Sequence, residues 1–209
     1  RRVLFRSPAA GDAGGALGAA YAAYHIYYGN ERLNLQGRMD AMKGSYLGPE
    51  ASSFEIEETA KRFNAVYTYY DDFERLAEDT AKILADGNVV GWHQGRMEWG
   101  PRALGNRSII ADARNPEMQK RLNLKIKYRE GFRPFAPSVL AEDETEYFDV
   151  ATPSPYMLLI ADVVEKRRNA LPPNYHAQSF KDKLYFLRSD LPSITHLDYS
   201  ARLQTVHKE

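Results

Sequence analysis

The residues able to do chemistry concentrate between Gln94 and Arg133. Ten bases fall there (Arg96, Arg102, Arg107, Arg114, Lys120, Arg121, Lys125, Lys127, Arg129 and Arg133) against four acids, Glu98, Asp112, Glu117 and Glu130. The chain as a whole is neutral, with 28 Lys+Arg and 28 Asp+Glu, so the remainder carries the compensating negative excess. Gly95, Gly100, Gly105, Gly131 and Pro101 are interspersed, and Pro134 and Pro137 follow directly. Arginine is favoured over lysine where planar oxyanions are gripped by paired hydrogen bonds. Glycine lets backbone N–H groups approach the same anion. This is the composition of a phosphate- or carboxylate-binding site. The competing reading is a solvated basic face laced with salt bridges. Arg102 and Arg133 weigh against it, because they stand among Gly, Pro and aromatic residues instead of on a polar helix face.

The elements that position these residues follow from composition and periodicity. A length of 209 residues allows one large domain or two small ones, and a core that needs no disulfide or structural metal. The chain has no cysteine, which excludes thiolate zinc sites, iron–sulfur clusters, a Cys nucleophile and a disulfide scaffold, and fits a cytoplasmic protein. Neutral charge argues against a strongly basic nucleic-acid binder. The longest stretch without Lys, Arg, Asp or Glu, Ala13 to Asn30, is Gly/Ala-rich with four Tyr and a His, and reads as a buried helix instead of a membrane span. Pro8–Gly18 reads as a small-residue loop, followed by a helix to about Tyr28. Residues 54–62 predict a short charged helix and 71–86 an amphipathic one, with Phe73, Leu76, Ala77, Ile83 and Leu84 at helical spacing. Val89–His93 predicts a buried strand. Asn115-Pro116-Glu117 opens a helix with Met118, Leu122 and Ile126 as its apolar stripe. If that helix reaches Lys127, the lysine points away from the stripe toward solvent and ligand. Pro134–Leu140 and Tyr156–Val164 predict strands, and residues 165–183 a mobile loop. Alternating helices and strands give an α/β (α+β) class.

Two strings stand out. Gly95-Arg96-Met97-Glu98-Trp99-Gly100-Pro101-Arg102-Ala103-Leu104-Gly105-Asn106-Arg107-Ser108 is followed by Lys127-Tyr128-Arg129-Glu130-Gly131-Phe132-Arg133-Pro134-Phe135-Ala136-Pro137. Together they resemble the C-terminal domain of the carbamoyltransferase family that includes nodulation and antibiotic-tailoring O-carbamoyltransferases. Pro8–Ala20 resembles the last conserved loop of that family's first, Kae1-like domain, and Asp198–Val206 a later motif of its second, YrdC-like domain. The four motifs occur in family order. The resemblance implies a YrdC-like twisted mixed sheet with flanking helices over residues 46–209, preceded by the end of a Kae1-like (actin/ribonuclease H-like) domain over residues 8–45. Residues 1–7 read as foreign, like a translated adapter. The expectation is a fragment of a longer protein, without most of the Kae1-like domain and without the last part of the YrdC-like domain.

The resemblance implies carbamoyl phosphate and ATP as substrates, a carbamoyl-adenylate intermediate, and a hydroxyl-bearing small molecule as acceptor. It assigns Arg102, Lys127 and Arg133 to catalysis and to gripping carbamoyl phosphate, with Arg202 joining and Arg129 a weaker candidate. Asp12 resembles a metal-ligating aspartate, with iron or another divalent metal as the ion, and Gly14 and Gly15 would lie against nucleotide phosphates. Asp12 also reads simply as a helix cap, and Lys127 as a surface lysine. No two of His25, His93, His176, His196 and His207 are three or four apart, so a helical histidine pair for metal is absent. His93 reads as a strand residue, and Glu98 as an ion-pair partner of Arg96 or Arg102 in preference to a general base. Two other functions stay open: a nucleic-acid-binding YrdC-like module, in which Trp92, Trp99, Tyr128, Phe132 and Phe135 stack bases, and a threonylcarbamoyl-adenylate synthase.

Overall fold

A computed structural model describes residues 9, 11–32 and 41–207. The chain divides into two units, one taking in residues up to Tyr69 together with Trp92–Ser108, the other Tyr70–Gly91 and everything from Ile109 onward.

The first unit holds α1 (Asp12–Ala22), extended by a π-helical turn at Ala23–Tyr27, and α2 (Ser53–Arg62). The loop expected over Pro8–Gly18 is helical from Asp12 onward, because its alanines favour helix strongly enough to carry the intervening glycines. Ser52 starts α2 through a capping box: its Oγ accepts the Glu55 N–H and the Glu55 carboxylate accepts the Ser52 N–H at 2.8 Å. Strands β1 (Val89–His93) and β2 (Arg107–Ala111) form a two-stranded sheet and carry the chain from one unit to the other and back. β1 stands where the sequence places it, but half-exposed instead of buried.

The second unit contains α3 (Phe73–Ala85), α4 (Met118–Lys125), β3 (Ser138–Leu140), α5 (Glu144–Tyr147), β4 (Phe148–Asp149), β5 (Leu159–Val163), α6 (Phe180–Tyr185) and β6 (Ser200–Val206). Four strands make a mixed sheet in the order β3-β6-β5-β4. β3 and β6 are parallel, with Ser138 opposite Gln204, and β5 and β6 are antiparallel, with Ile160 opposite Arg202. Alternation along β6 sends Ala201 and Leu203 into a core with Phe148, Ala161, Val163, Leu191 and Ile194, while Arg202 takes the opposite face. Burying each larger member of that core contributes about 1.5–3 kcal/mol. The mixed sheet with flanking helices is the α/β arrangement expected, and it agrees with a YrdC-like fold. No helix among the described residues is long and apolar enough to cross a membrane.

Several local expectations are corrected. α4 begins at Met118, not at Asn115: the Asn115 side chain accepts the Glu117 N–H at 3.0 Å and closes a turn ahead of the helix. It ends at Lys125, so Ile126 is exposed and Lys127 lies beyond the helix instead of on its outer face. The strand expected from Pro134 is confined to Ser138–Leu140, since Pro134 and Pro137 have no N–H to give a ladder. The segment 165–183 is not a featureless loop. It forms short 3-10 turns at Glu165–Arg167 and Tyr175–Ala177 and enters α6, which Ser179 caps through the Asp182 N–H at 3.2 Å.

Candidate functional site

In the first unit the Gly95–Ser108 turn closes on itself around one carboxylate. Gly95, Gly100 and Gly105 all take positive φ, at 49°, 113° and 122°, which side chains rarely adopt. The turn thereby folds its backbone N–H groups inward. The Glu98 side chain is 0% exposed. Its Oε1 accepts the N–H groups of Leu104, Asn106 and Arg107 at 2.8, 2.9 and 3.1 Å. Its Oε2 accepts the Arg107 Nε–H at 2.8 Å, and Arg107 Nη2 donates to the Glu98 carbonyl at 2.6 Å. Burial alone would raise the Glu98 pKa; the Arg107 guanidinium and the turn amides outweigh it and hold the carboxyl at about 2. Glu98 is therefore an anion at neutral pH, and its ion-pair partner is Arg107, not Arg96 or Arg102. Three of the turn's amides, those of Leu104, Asn106 and Arg107, are engaged by this internal carboxylate instead of being offered to a ligand.

Neighbouring segments lock the turn. Tyr46 donates its hydroxyl to the Leu104 carbonyl at 2.9 Å, and the Trp99 N–H reaches the Ser45 carbonyl at 2.6 Å. Gly48 N–H to Met97 carbonyl and Met97 N–H to Pro49 carbonyl, both 2.9 Å, zip residues 48–49 to the turn. A Cβ at Gly48 would come within 2.9 Å of the Met97 carbonyl oxygen, so only glycine fits. Arg96 donates to the Gly48 carbonyl at 3.2 Å. With Arg96 and Arg107 both engaged, Arg102 is the arginine of this turn that no hydrogen bond or ion pair among the described residues holds, although it is half-buried.

In the second unit the basic loop after α4 is built around Asn123. This residue is fully buried beside Met118 and Leu122. Its Nδ2 donates to the carbonyls of Arg133 and Gly131 at 2.7 and 3.3 Å, and its Oδ1 accepts the Arg129 Nε–H at 2.7 Å. Gln119 adds a bond to the Phe132 carbonyl at 2.9 Å. Arg129 stacks its guanidinium 5.1 Å from the centre of the Phe135 ring. It thus serves the loop's own architecture. Arg133 pairs with Glu130 at 3.0 Å, with both side chains about half exposed, a pair that solvent weakens and a ligand anion can displace. Lys127 is exposed, and its side chain has no partner among the described residues.

Arg202 lies within β6, opposite Ile160 of β5, while Arg133 belongs to the loop that leads into β3. The turn into β6 adds His196 and Asp198. Asp198 accepts the Ser200 N–H and hydroxyl at 3.1 and 2.7 Å, which lowers its pKa. Burial lowers the His196 pKa, the Asp198 charge opposes that, and the Arg202 charge reinforces it. A cavity of about 430 Å³ opens beside these groups, lined among others by Phe132, Tyr185, Phe186, Arg188, His196 and Asp198. Arg188, 4% exposed, fixes its wall through the Phe186 carbonyl and the Tyr175 hydroxyl, both at 3.0 Å, and through the Lys183 carbonyl. Aromatic walls with a few fixed polar groups suit a small ligand.

The N-terminal candidates fare differently. Asp12 is the first residue of α1, and its side chain lies outside the described ones. Gly14 and Gly15 are helical, and their N–H groups both go to the Gly11 carbonyl at 3.0 and 3.1 Å, which engages the groups expected to meet phosphate. Among the described residues no three His, Asp or Glu side chains come together where a metal ion could be held. The iron implied by the resemblance therefore has no ligand set among the described residues. His93 stands in β1 as expected.

Sequence reading missed Asn123, the Arg107 partnership and the His196–Asp198 turn. No local signal marked Asn123: one residue past Leu122 it stands about 100° off the Met118–Leu122 stripe, and the apolar residue beside it, Leu124, is the exposed one. The Glu98–Arg107 pairing had none either, because it depends on three glycine dihedrals.

The family model described as carbamoyltransferase C-terminus matches residues 81–209. An uncharacterized protein of Synechocystis is 59% identical over 208 residues, which are 99% of this chain and 33% of that protein. Nodulation protein NolNO of Sinorhizobium fredii is 38% identical over 208 residues, 98% of this chain and 27% of that protein. Nodulation protein NolO of Bradyrhizobium diazoefficiens is 37% identical over 212 residues, 99% of this chain and 33% of that protein. The chain thus spans a third or less of the length of these relatives. Residues 81–209 hold both basic loops, the cavity and the whole mixed sheet, and through them the chain belongs to the carbamoyltransferase family.

Proposed function

We propose that this chain is the carbamoyl phosphate-binding part of an ATP-dependent O-carbamoyltransferase. The observation that carries the reading is Arg102, a half-buried arginine left unengaged among the described residues in a turn whose other charged groups, Arg96, Glu98 and Arg107, all have partners. In the second unit the Lys127 side chain is likewise unengaged among the described residues, the Arg133 side chain is in an exposed pair with Glu130, and Arg202 stands on β6. Unengaged cations of this kind suit a phosphoanhydride-like donor. In the proposed reaction water cleaves carbamoyl phosphate to carbamate and phosphate. A carbamate oxygen then attacks the α-phosphorus of ATP, pyrophosphate leaves, and carbamoyl adenylate forms. An acceptor hydroxyl finally takes the carbamoyl group and releases AMP. Bringing carbamate and triphosphate together opposes like charges, and fixed cations offset that repulsion. The cavity beside His196 has the size and aromatic lining for the nucleotide base.

Titration calorimetry of the 209-residue chain with carbamoyl phosphate tests this reading. Binding that is lost in Arg102→Ala and Lys127→Ala supports it. Absence of binding in the parent overturns it. Competition by single-stranded nucleic acid with a steep salt dependence would favour the nucleic-acid reading instead.

A further inference from the structure

Three backbone N–H groups converging on one point form a site for a phosphate or carboxylate oxygen. In the Gly95–Ser108 turn that point is filled from within, by Glu98 Oε1 at 2.8–3.1 Å from the nitrogens of Leu104, Asn106 and Arg107. The fourth amide in the run, Gly105, donates to the Ser108 hydroxyl at 3.1 Å. None of the four consecutive amides from Leu104 to Arg107 is therefore left for a bound anion, and the backbone that follows Arg102 is set before any ligand arrives. We infer that Glu98 is a positioning residue: its buried carboxylate acts as a built-in anion that preforms the turn and fixes where Arg102 stands. The inference rests on the proposed role of Arg102 in anion binding.

The chemistry of the contact predicts how substitutions behave. A glutamine at position 98 keeps an oxygen for the three amides, but its NH2 then faces the Arg107 Nε–H, donor against donor. Pairing Glu98→Gln with Arg107→Gln restores a donor–acceptor match, because the second amide oxygen can accept from the first amide nitrogen. An effect due only to lost charge would not be repaired this way. An effect due to the geometry of the turn would be.

The test measures three things on the parent, E98Q, R107Q and the double variant: carbamoyl phosphate affinity, cooperative melting, and hydrogen exchange of the Leu104, Asn106 and Arg107 amides. The expected result for E98Q is a cooperative melt, affinity weakened about tenfold or more, and exchange at those three amides faster by a similar factor. The double variant should recover most of both the affinity and the protection. E98Q binding as tightly as the parent would overturn the inference, as would a loss of affinity with amide exchange unchanged. If the parent binds no carbamoyl phosphate, the donor assignment fails by itself. The exchange data then decide Glu98's part in forming the turn: selective acceleration at the three amides upholds it, and unchanged exchange sinks it.

Discussion

The Asn123 side chain donates to the carbonyl of Arg133, ten residues further along the chain, at 2.7 Å, while its oxygen accepts from Arg129 at 2.7 Å. One buried amide thus sets both ends of the loop that begins with Lys127. The chain turns sharply inside that loop, with Tyr128 instead of a glycine at φ 48°. Asn123 holds the loop against that local cost.

Asn123→Ala should therefore act on stability and binding together. It strips a buried residue of bonds to Gly131, Arg129 and Arg133 and leaves their groups unpaired. The expected loss is about 2–4 kcal/mol, read as a lowered urea midpoint with unchanged slope. Affinity for carbamoyl phosphate should fall as well, since Lys127 and Arg133 lose their common anchor. Asn123→Asp keeps the acceptor for Arg129 but sets a buried carboxylate oxygen against two carbonyl oxygens, so it should be no more stable than alanine on the urea scale. An alanine variant with parental stability would show that the loop holds itself.

Glu98 gives the acid side of the stability profile a definite sign. Its folded pKa lies below its ordinary value of 4.5, at about 2. Its contribution is then complete above about pH 4.5 and is lost as pH falls toward 2, because the unfolded chain takes up the proton first. The shift corresponds to on the order of 3 kcal/mol. Asp112 and Asp198, also lowered, act in the same direction. Urea unfolding between pH 3 and 7 should show a steep acid limb that E98Q makes shallower. A variant limb as steep as the parent's would contradict the bonding described for Glu98.

His196 should add a separate feature nearer neutrality. Burial beside Arg202 lowers its pKa below 6.5, so the folded protein prefers the neutral ring. Stability from this group is complete above 6.5 and declines as pH falls below it, as the unfolded histidine binds its proton first. His196→Gln should flatten the profile between pH 7 and 5 while leaving the Glu98 limb at lower pH. If the parent shows no slope in that window, the histidine is freely protonated in the fold.

What the sequence made legible follows from the range of the interactions involved. α2 and α3 could be read because caps and periodicity are local: Ser52 with Glu55, and Asp72 with the Glu74 N–H at 2.9 Å. The mixed α/β class could be read because strands and helices alternate. β6 was legible only as a motif, since Ser200, Ala201, Gln204 and Thr205 are small or polar and are buried by sheet neighbours instead of by their own hydrophobicity. α6 was masked by the Pro and basic residues before it. At the candidate site the basic residues were legible by type and clustering. Their division of labour was not: Arg107 and Arg129 serve the architecture while Arg102 and Lys127 are left unengaged, and that depends on distances no spacing encodes.

That division makes the sharpest prediction, because Arg102 and Arg107 are five residues apart in one turn and should respond in opposite ways. Arg107→Ala removes the partner of a buried carboxylate, bonded at 2.8 Å, and should cost about 1–3 kcal/mol of stability, discounted from a fully buried pair because Arg107 is itself 38% exposed. Arg102→Ala breaks no bond and should change stability by less than about 0.5 kcal/mol. Ligand reverses the ranking. At about one hundred times its dissociation constant, carbamoyl phosphate should raise the parent's stability by about 2.7 kcal/mol. Arg102→Ala should lose most of that gain while melting like the parent without ligand. Arg107→Ala should start lower and keep part of the gain, through whatever position Arg102 retains. Equal losses in the two variants, with and without ligand, would mean that both arginines are structural and that the anion binds elsewhere in the chain.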